Sequence, residues 1–432
     1  MKKNLTDELI FYLEDKKQRI TDDVRSKAKQ CLLDYTGVTF AGSKVNKKMF
    51  SRMLSESSAG KCSVLGYEMK TDMKTAALIN GFNAHTVELD DGHRMGMIHL
   101  GAVIISAVIA AAEHDGLSMD NILNGIILGY EAAVRTAIAI QPAHKKAGFH
   151  TTGTCGTIGA TVGAAAARGY DFNRMKSAIS AAATSAAGLL EIQENNSGLK
   201  PYNAGHAAMS GITAAEMGGI GISGPDDILY GERGMLRLLG GTANIEGMLA
   251  DTEYFEIEKI YVKPYAACRH CHSAMEAAIV LKNEYHIPPE NIDRINIYTY
   301  GLAIKGHNHK DVKGVSSAKL SMPYSVAAAY ILGRGDLEAF SEENIKRSDI
   351  KQLIQKISIY EKDEFNGLKN GQRIAEVSIV TADGKVVRKQ VDFAKGDPEN
   401  PMSIKEIKDK FTKLMEWSGY KTESLKLMEL LK

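Results

Sequence analysis

A chain of 432 residues with 53 Lys+Arg against 52 Asp+Glu has no charge surplus with which to hold a polyanion or an acidic membrane surface, so an anionic ligand must meet a local group of cations. Its 44 % hydrophobic and 24 % charged residues are the composition of a globular protein with a large core, and the length allows two or three domains. The longest apolar run, residues 101–112, falls well short of the ~20 residues of a membrane span, and charges break up the first residues too often for a secretory segment. The five cysteines, Cys31, Cys62, Cys155, Cys268 and Cys271, are few and odd in number, as in a cytoplasmic protein with reduced thiols.

In chain order, the first ~250 residues read as helix after helix. Val24, Ala28, Cys31 and Leu32 share one face of an early helix that Thr21 is placed to cap. Further helices are predicted over 76–87, 102–112 and 122–140, the last after Ser118 as a second cap. Three helices dense in Ala, Gly, Ser and Thr follow over 153–168, 175–189 and 204–217. Small side chains allow close backbone approach, so these belong in a tightly packed central layer. Near Phe255 the pattern changes. Strands are predicted over 257–262 and 292–300, helices over 273–282 and 318–332, and a strand over 357–360. Ala382-Asp383-Gly384 is a hairpin turn between strands 377–381 and 385–393. After Pro398 and Pro401 the helical pattern returns over 403–414 and 422–431. The expected fold is mostly α. It has a large all-helical domain (1–255), a smaller α+β domain (256–395) and C-terminal helices that return to the first domain (396–432).

Four stretches gather titratable residues beside Gly and Pro: residues 88–101, 147–153, 198–207 and 263–273. Each leads into an apolar or small-residue helix, and a helix start suits a carboxylate ligand. Glu88, Asp90, Asp91, His93 and His99 are either an acid–base cluster tuned by burial or a solvated helix end with aspartate caps. His150 stands at a helix start, as a base or as a cap. Lys200 lies between Gly198 and Pro201, and is either aimed at a ligand or merely exposed. Lys263 and Arg269 read as a carboxylate clamp beside an acid–base histidine, His270 or His272. Cys268-x-x-Cys271 also invites zinc or redox readings, but no further ligand pair or thioredoxin-like pattern completes either. No GxGxxG follows a predicted strand, and the GxxxxGK[ST] loop and the GxSxG elbow are absent from the sequence.

Several short motifs follow one another along the chain: Asn80-Gly81-x-x-Ala84-His85, Glu88-x-Asp90-Asp91, His99-x-Gly101, Gly129-Tyr130-Glu131, Gly148-Phe149-His150-x-Thr152, Lys200 with Gly205-x-Ala207-Ala208, Lys263-x-Tyr265-x-x-Cys268-Arg269-x-x-His272, and Ser321-x-x-Tyr324. In this order, over nearly the whole chain, they resemble the MmgE/PrpD family. That family includes 2-methylcitrate dehydratase, cis-aconitate decarboxylase and an iminodisuccinate epimerase. The resemblance implies a helical domain with a smaller α+β lid, a site between them, a homodimer, and no metal or organic cofactor. It implies a pocket lined by Asp91, His99, His150, Lys200, Lys263, His272 and Tyr324. Glu88 stands where many relatives carry Asp, Leu100 where Pro is common, and Cys268 where the decarboxylase carries His.

The expected chemistry is that of a cofactor-independent hydro-lyase on a small polycarboxylate, of the 2-methylcitrate dehydratase kind found in propionate catabolism. Epimerisation of an imino or hydroxy dicarboxylate and decarboxylation of cis-aconitate are alternatives, because all three share a carbanion-like intermediate. A carboxylate-binding protein without activity is the rival from outside enzymology. In the expected mechanism Lys200, Lys263 and Arg269 hold carboxylates, and His150 or His99 is the base. Tyr324 or His272 is the acid, and Asp91 orients a histidine.

Overall fold

The computed structural model describes residues 4–367 and 371–424, the side chains of residues 194–196 excepted. The fold is mostly α with small sheets. The chain divides into two compact units: Met1–Glu194, Leu199–Ile260 and Ser403–Lys432 make up unit 1, and Asn195–Gly198 with Tyr261–Met402 make up unit 2.

Unit 1 contains helices α1 (Leu5–Gln18), α2 (Asp22–Ser55), α3 (Met73–Thr86), α4 (Gly101–Asp115), α5 (Met119–Ile140), α6 (Thr151–Ala167), α7 (Phe172–Ser185) and α8 (Lys200–Gly219). The expected caps are in place. Thr21 accepts from the Val24 amide at 3.4 Å and Ser118 from the Asn121 amide at 3.3 Å. Val24, Ala28, Cys31 and Leu32 are buried on α2.

Every residue of α6 is buried, and it packs against α4, α5, α7 and α8. Glycines set these distances. A Cβ on Gly129 of α5 would lie 2.8 Å from the Gly159 carbonyl of α6, and one on Gly205 of α8 would lie 2.4 Å from the Leu78 carbonyl of α3. The family-like glycines at these positions therefore serve backbone contact rather than flexibility.

By length and composition α5 is apolar enough to cross a membrane, but most of that span is buried inside the protein. Its Glu131 and Arg135 belong to a closed ionic network. Arg135 meets Glu131 at 3.0 Å and Glu256 at 3.1 Å, and Glu256 faces His93 at 3.2 Å. The Tyr12 hydroxyl donates to Glu131 at 2.5 Å. Buried charges persist only when paired in this way.

Unit 2 is built on a four-stranded sheet of β1 (Ile292–Thr299), β2 (Ile357–Glu361), β3 (Ala375–Thr381) and β4 (Val386–Val391), in the order β2-β1-β3-β4. β1 runs parallel to β2 and antiparallel to β3. Gly384, at φ +84°, makes the expected β3–β4 hairpin. Helices α9 (His272–Tyr285) and α10 (Met322–Leu332) pack together, and α9 covers β3 and β4.

Two predicted elements differ. Residues 257–262 form a 3₁₀ turn, Glu256–Lys259, followed by only two strand residues, Ile260–Tyr261. Glu258 accepts from the Phe255 amide at 2.8 Å and winds the chain there. The helix expected over 318–332 is two helices, Val315–Leu320 and α10. Ser321 turns extended and caps Tyr324 at 3.1 Å, as an N-cap serine does. Helix Ile404–Ser418 begins with the reciprocal Ser403/Glu406 cap. The expected helix over 422–431 lies outside the described residues from 425 onward.

Gly129→Ala tests the close packing. In an exposed helix that change gains up to ~1 kcal/mol. Here the added methyl meets backbone, and a loss of ~1–3 kcal/mol is expected in urea unfolding. A gain would show that α5 and α6 can separate at no cost.

Candidate active site

In unit 1 the C-terminal turn of α3, the loop 87–100 and the starts of α4, α6 and α8 bring together three of the four polar stretches that stand out in the sequence. The loop is tied down from several sides. Asp91 accepts from the Gly101 amide at 2.8 Å and from the Tyr130 hydroxyl at 2.6 Å. The His99 amide donates to Thr152 Oγ1 at 3.2 Å, joining the His99 motif to the His150 motif. Lys410 donates to the Leu89 carbonyl at 2.7 Å and pairs with buried Asp34 at 2.6 Å. Glu88 holds φ +57°, a left-handed conformation that an L-residue adopts only when its surroundings enforce it.

Asp90 is the organising carboxylate. Its Oδ2 accepts from His85 Nδ1 at 2.7 Å and lies 3.3 Å from His99 Nδ1. The His85 and His99 rings are 4.7 Å apart, and the His150 ring stacks over His85 at 6.2 Å. His85, Asp90 and His150 are buried. His85 Nε2 is buried with no hydrogen-bond partner among the described residues, and so presents an acceptor to a ligand or water.

Hydrogen bonds set the tautomers. His99 Nδ1 lies 2.8 Å from the Asp91 carbonyl. A carbonyl only accepts, so the proton sits on Nδ1 and the neutral ring carries its lone pair on Nε2. His150 is the reverse. Asn203 Nδ2 faces its Nδ1 at 2.8 Å and also faces the Leu189 carbonyl at 3.4 Å. The amide therefore donates to both, and neutral His150 carries its proton on Nε2. Burial, with the charges of His85 and Lys200 adding to it, holds His150 well below the ordinary histidine range, so it is neutral at pH 7. His150 occupies the N-cap position of α6 without capping through its side chain. It reads as a fixed neutral N–H donor, not as the base.

The expectation for Asp91 is corrected in the same way. Its carboxylate serves Tyr130 and Gly101, and only its backbone carbonyl meets a histidine. The carboxylate that orients histidines is Asp90. Burial raises Asp91 to about 6. Lys200 stands at the first residue of α8 and pairs with Glu88, so it is a compensated cation rather than an open one. His85 is not among the expected site residues; its position one turn before the Glu-x-Asp-Asp loop is the sequence signal for it.

The remaining candidates belong to unit 2. Lys263 is fully buried. Arg269 pairs with Asp397 at 2.8 Å and donates to the Ala394 and Lys395 carbonyls at 3.1 and 3.0 Å. Its guanidinium is bonded within unit 2 in this way. His272 Nδ1 faces Arg269 Nη1 at 2.8 Å and its Nε2 faces the Ala267 carbonyl at 3.1 Å. Both ring nitrogens are used, and burial beside Arg269 holds it neutral. The Tyr324 hydroxyl donates to the Ala339 carbonyl at 2.8 Å and is buried. Neither group offers a ready proton as an acid must.

Among the described residues one set with metal-ligand chemistry converges: His85, Asp90 and His99, with ligand atoms within 4.8 Å of one another. The hydrogen bonds to Asp90 already account for that closeness. No comparable set of three converges around Cys268 and Cys271 among the described residues.

The profile of the MmgE/PrpD N-terminal domain matches residues 11–248, and that of the MmgE/PrpD C-terminal domain matches residues 265–431. Cis-aconitate decarboxylase of Aspergillus terreus is 26 % identical over 95 % of this chain and 88 % of its own length. The cis-aconitate decarboxylase-like protein oryM of Aspergillus oryzae is 26 % identical over 95 % of the chain and 90 % of its own. Cis-aconitate decarboxylase of Mus musculus is 22 % identical over 92 % and 83 %.

The raised Asp91 gives a stability test. Its value in the folded chain, about 6, lies above the ~3.9 of an unfolded aspartate. Between the two the folded protein holds the extra proton, so this group's contribution to stability falls as pH rises through that window. The difference in urea midpoint between the parent and Asp91→Asn is expected to shift between about pH 4 and pH 6, with the parent losing ground as pH rises. A pH-independent difference would place Asp91 at its ordinary value.

Proposed function

The chain belongs to the MmgE/PrpD family, and we propose that it is a lyase that acts on a small polycarboxylic acid through a carbanion formed beside a carboxylate. The observation that carries this is the Asp90-centred cluster. One carboxylate oxygen aligns two imidazoles, with a neutral N–H donor at His150 and a cation at Lys200 beside them.

Such a reaction leaves an electron pair that spreads onto carboxylate oxygens. Donors fixed in advance stabilise that charge at little reorganisation cost, and they act more strongly in a buried site than in water. In this reading Lys200 exchanges Glu88 for a substrate carboxylate, and His150 Nε2–H meets the oxygen on which charge grows. His99 Nε2 is the proton-transfer atom. Its Nδ1 proton rests on the Asp91 carbonyl beside the Asp90 carboxylate, which steadies the charged ring.

Which bond breaks is the finer part of the proposal. Decarboxylation of an unsaturated tricarboxylate of the cis-aconitate class leads, supported by the named activity of relatives aligned over almost the whole chain. The C–C bond to one carboxylate breaks, CO₂ departs, and the pair moves through the allylic system to a carbon that His99 protonates. Dehydration of a hydroxy acid such as 2-methylcitrate is the second reading, supported by Cys268 at the place where the decarboxylase pattern has His. There His99 removes a proton next to a carboxylate and hydroxide leaves.

Proton NMR in deuterated buffer separates these readings, with cis-aconitate, 2-methylcitrate and citrate as substrates. We expect one acid either to lose CO₂, with deuterium entering the carbon skeleton, or to lose water together with a carbon-bound proton, and His99→Asn to slow this by ~10²–10⁴. Glu88→Gln should lower KM, because Lys200 is then uncompensated. If no acid reacts or exchanges protons, the carboxylate-binding alternative takes the place of the lyase. A His99→Asn variant with parental turnover would remove His99 from the mechanism.

A further inference from the structure

Unit 2 contains a sulfur–imidazole arrangement that the proposed carbanion chemistry does not use. Cys268 is only partly buried, and its Sγ lies 3.1 Å from His307 Nε2. His307 Nδ1 in turn lies 3.0 Å from the Lys305 carbonyl. That carbonyl can only accept, so it fixes the His307 proton on Nδ1 and turns the Nε2 lone pair toward the sulfur. A nucleophile, a base and a group that orients the base are thus aligned within one unit.

Cationic groups stand near the sulfur. Arg373 is close enough for its charge and that of Cys268 to act on each other. The His270 ring lies 5.2 Å from His307, with its Nδ1 2.5 Å from the Tyr300 hydroxyl. Burial keeps Tyr300 protonated, so it donates to His270 and does not add negative charge. Asp397, the acidic group that also acts on Arg373, is paired with Arg269. Cys268 precedes the turn Arg269–Cys271, which runs directly into α9, and a helix start beside cations lowers the cost of a thiolate.

A second sulfur stands three residues on. Cys271 is buried, and its amide donates to the Cys268 carbonyl at 2.9 Å. Such a turn brings its end Cα atoms within about 7 Å, and a disulfide spans roughly 4.4–6.8 Å between them. We propose that Cys268 and Cys271 form a reversible thiol–disulfide site in unit 2, with Cys268 as the attacking sulfur and Cys271 as the resolving one.

The oxidant is a peroxide. The Cys268 thiolate attacks one oxygen of hydrogen peroxide; the S–O bond forms, the O–O bond breaks, and hydroxide leaves to be protonated. The Cys271 thiol then attacks the sulfenic sulfur and loses its proton, so that the S–S bond forms as the S–O bond breaks and water departs. A small dithiol returns both cysteines by exchange. The other three cysteines are internal controls. Cys31, Cys62 and Cys155 are buried, and burial pushes the Cys62 and Cys155 thiols up to about 11 and about 12.

The test uses the full chain treated with one equivalent of hydrogen peroxide, followed by peptide mass spectrometry. The expected product is a Cys268–Cys271 link that a dithiol reverses. Cys271→Ser should instead stop at a sulfenic acid on Cys268 that dimedone traps. His307→Asn keeps a donor for the Lys305 carbonyl but removes Nε2. It should slow iodoacetamide labelling of Cys268 at neutral pH by about tenfold or more, and should move the pH midpoint of labelling upward. The inference is overturned if Cys268 labels no faster than a thiol in the urea-unfolded chain, if His307→Asn leaves rate and midpoint unchanged, or if peroxide produces no 268–271 link. These readouts follow sulfur chemistry alone, so they stand or fall separately from the lyase reading.

Discussion

Asp90 brings its carboxyl group into a buried corner of unit 1 and shares one oxygen between two imidazoles. A carboxylate out of water is costly unless its oxygens are bonded, and each donor that bonds it loses orientational freedom. His85 and His99 are therefore held in place by the same requirement that keeps Asp90 tolerable. The loop must bring Asp90 back toward α3, and the left-handed Glu88 makes that turn. Lys410 on the C-terminal helix then fastens the neighbouring carbonyl of Leu89 while offsetting Asp34. A chain that returns to the first unit at its end thus supplies a cation that holds the site loop.

Around this anchor the three histidines are not equivalent. His99 is oriented by acceptors, the Asp91 carbonyl and the Asp90 carboxylate, and is suited to carrying a transferable proton. His150 is oriented by a donor, Asn203, and kept neutral by burial and nearby cations, so it is suited to giving a hydrogen bond without giving up its proton. A carbanion mechanism needs both kinds of group, and the environment separates them although the side chains are identical. The Lys200–Glu88 pair adds a cation whose charge is held in reserve until a carboxylate competes for it.

Much of this was legible in the sequence. The 3.6-residue pattern, Thr21 and Ser118 as caps, and the three small-residue helices located most of unit 1. The alternation in β1 and the Gly384 turn located much of the sheet. His99, His150 and Lys200 fall in the cluster because helix starts with titratable residues are readable locally. The departures depend on distant contacts. Nothing near Arg269 in sequence announces Asp397, and nothing near Tyr324 announces the Ala339 carbonyl. Asp90 and Asp91 are adjacent, and only the backbone path of the loop decides which carboxylate faces the histidines. The strand expected over 257–262 failed for a similar reason, since a single Glu258 cap winds the chain into a turn.

The central claim is that the histidines hold distinct proton arrangements set by Asp90, the Asp91 carbonyl and Asn203. Long-range proton–nitrogen correlation spectra of the imidazoles, assigned with single His variants and recorded across about pH 6 to 8, read those arrangements directly. The account predicts that His150 stays neutral with its proton on Nε2 throughout, and that His99 keeps a proton on Nδ1 in every charge state. A His150 that titrates in that range, or that carries its proton on Nδ1, would contradict the assignment of donor and proton-transfer roles on which the mechanism stands.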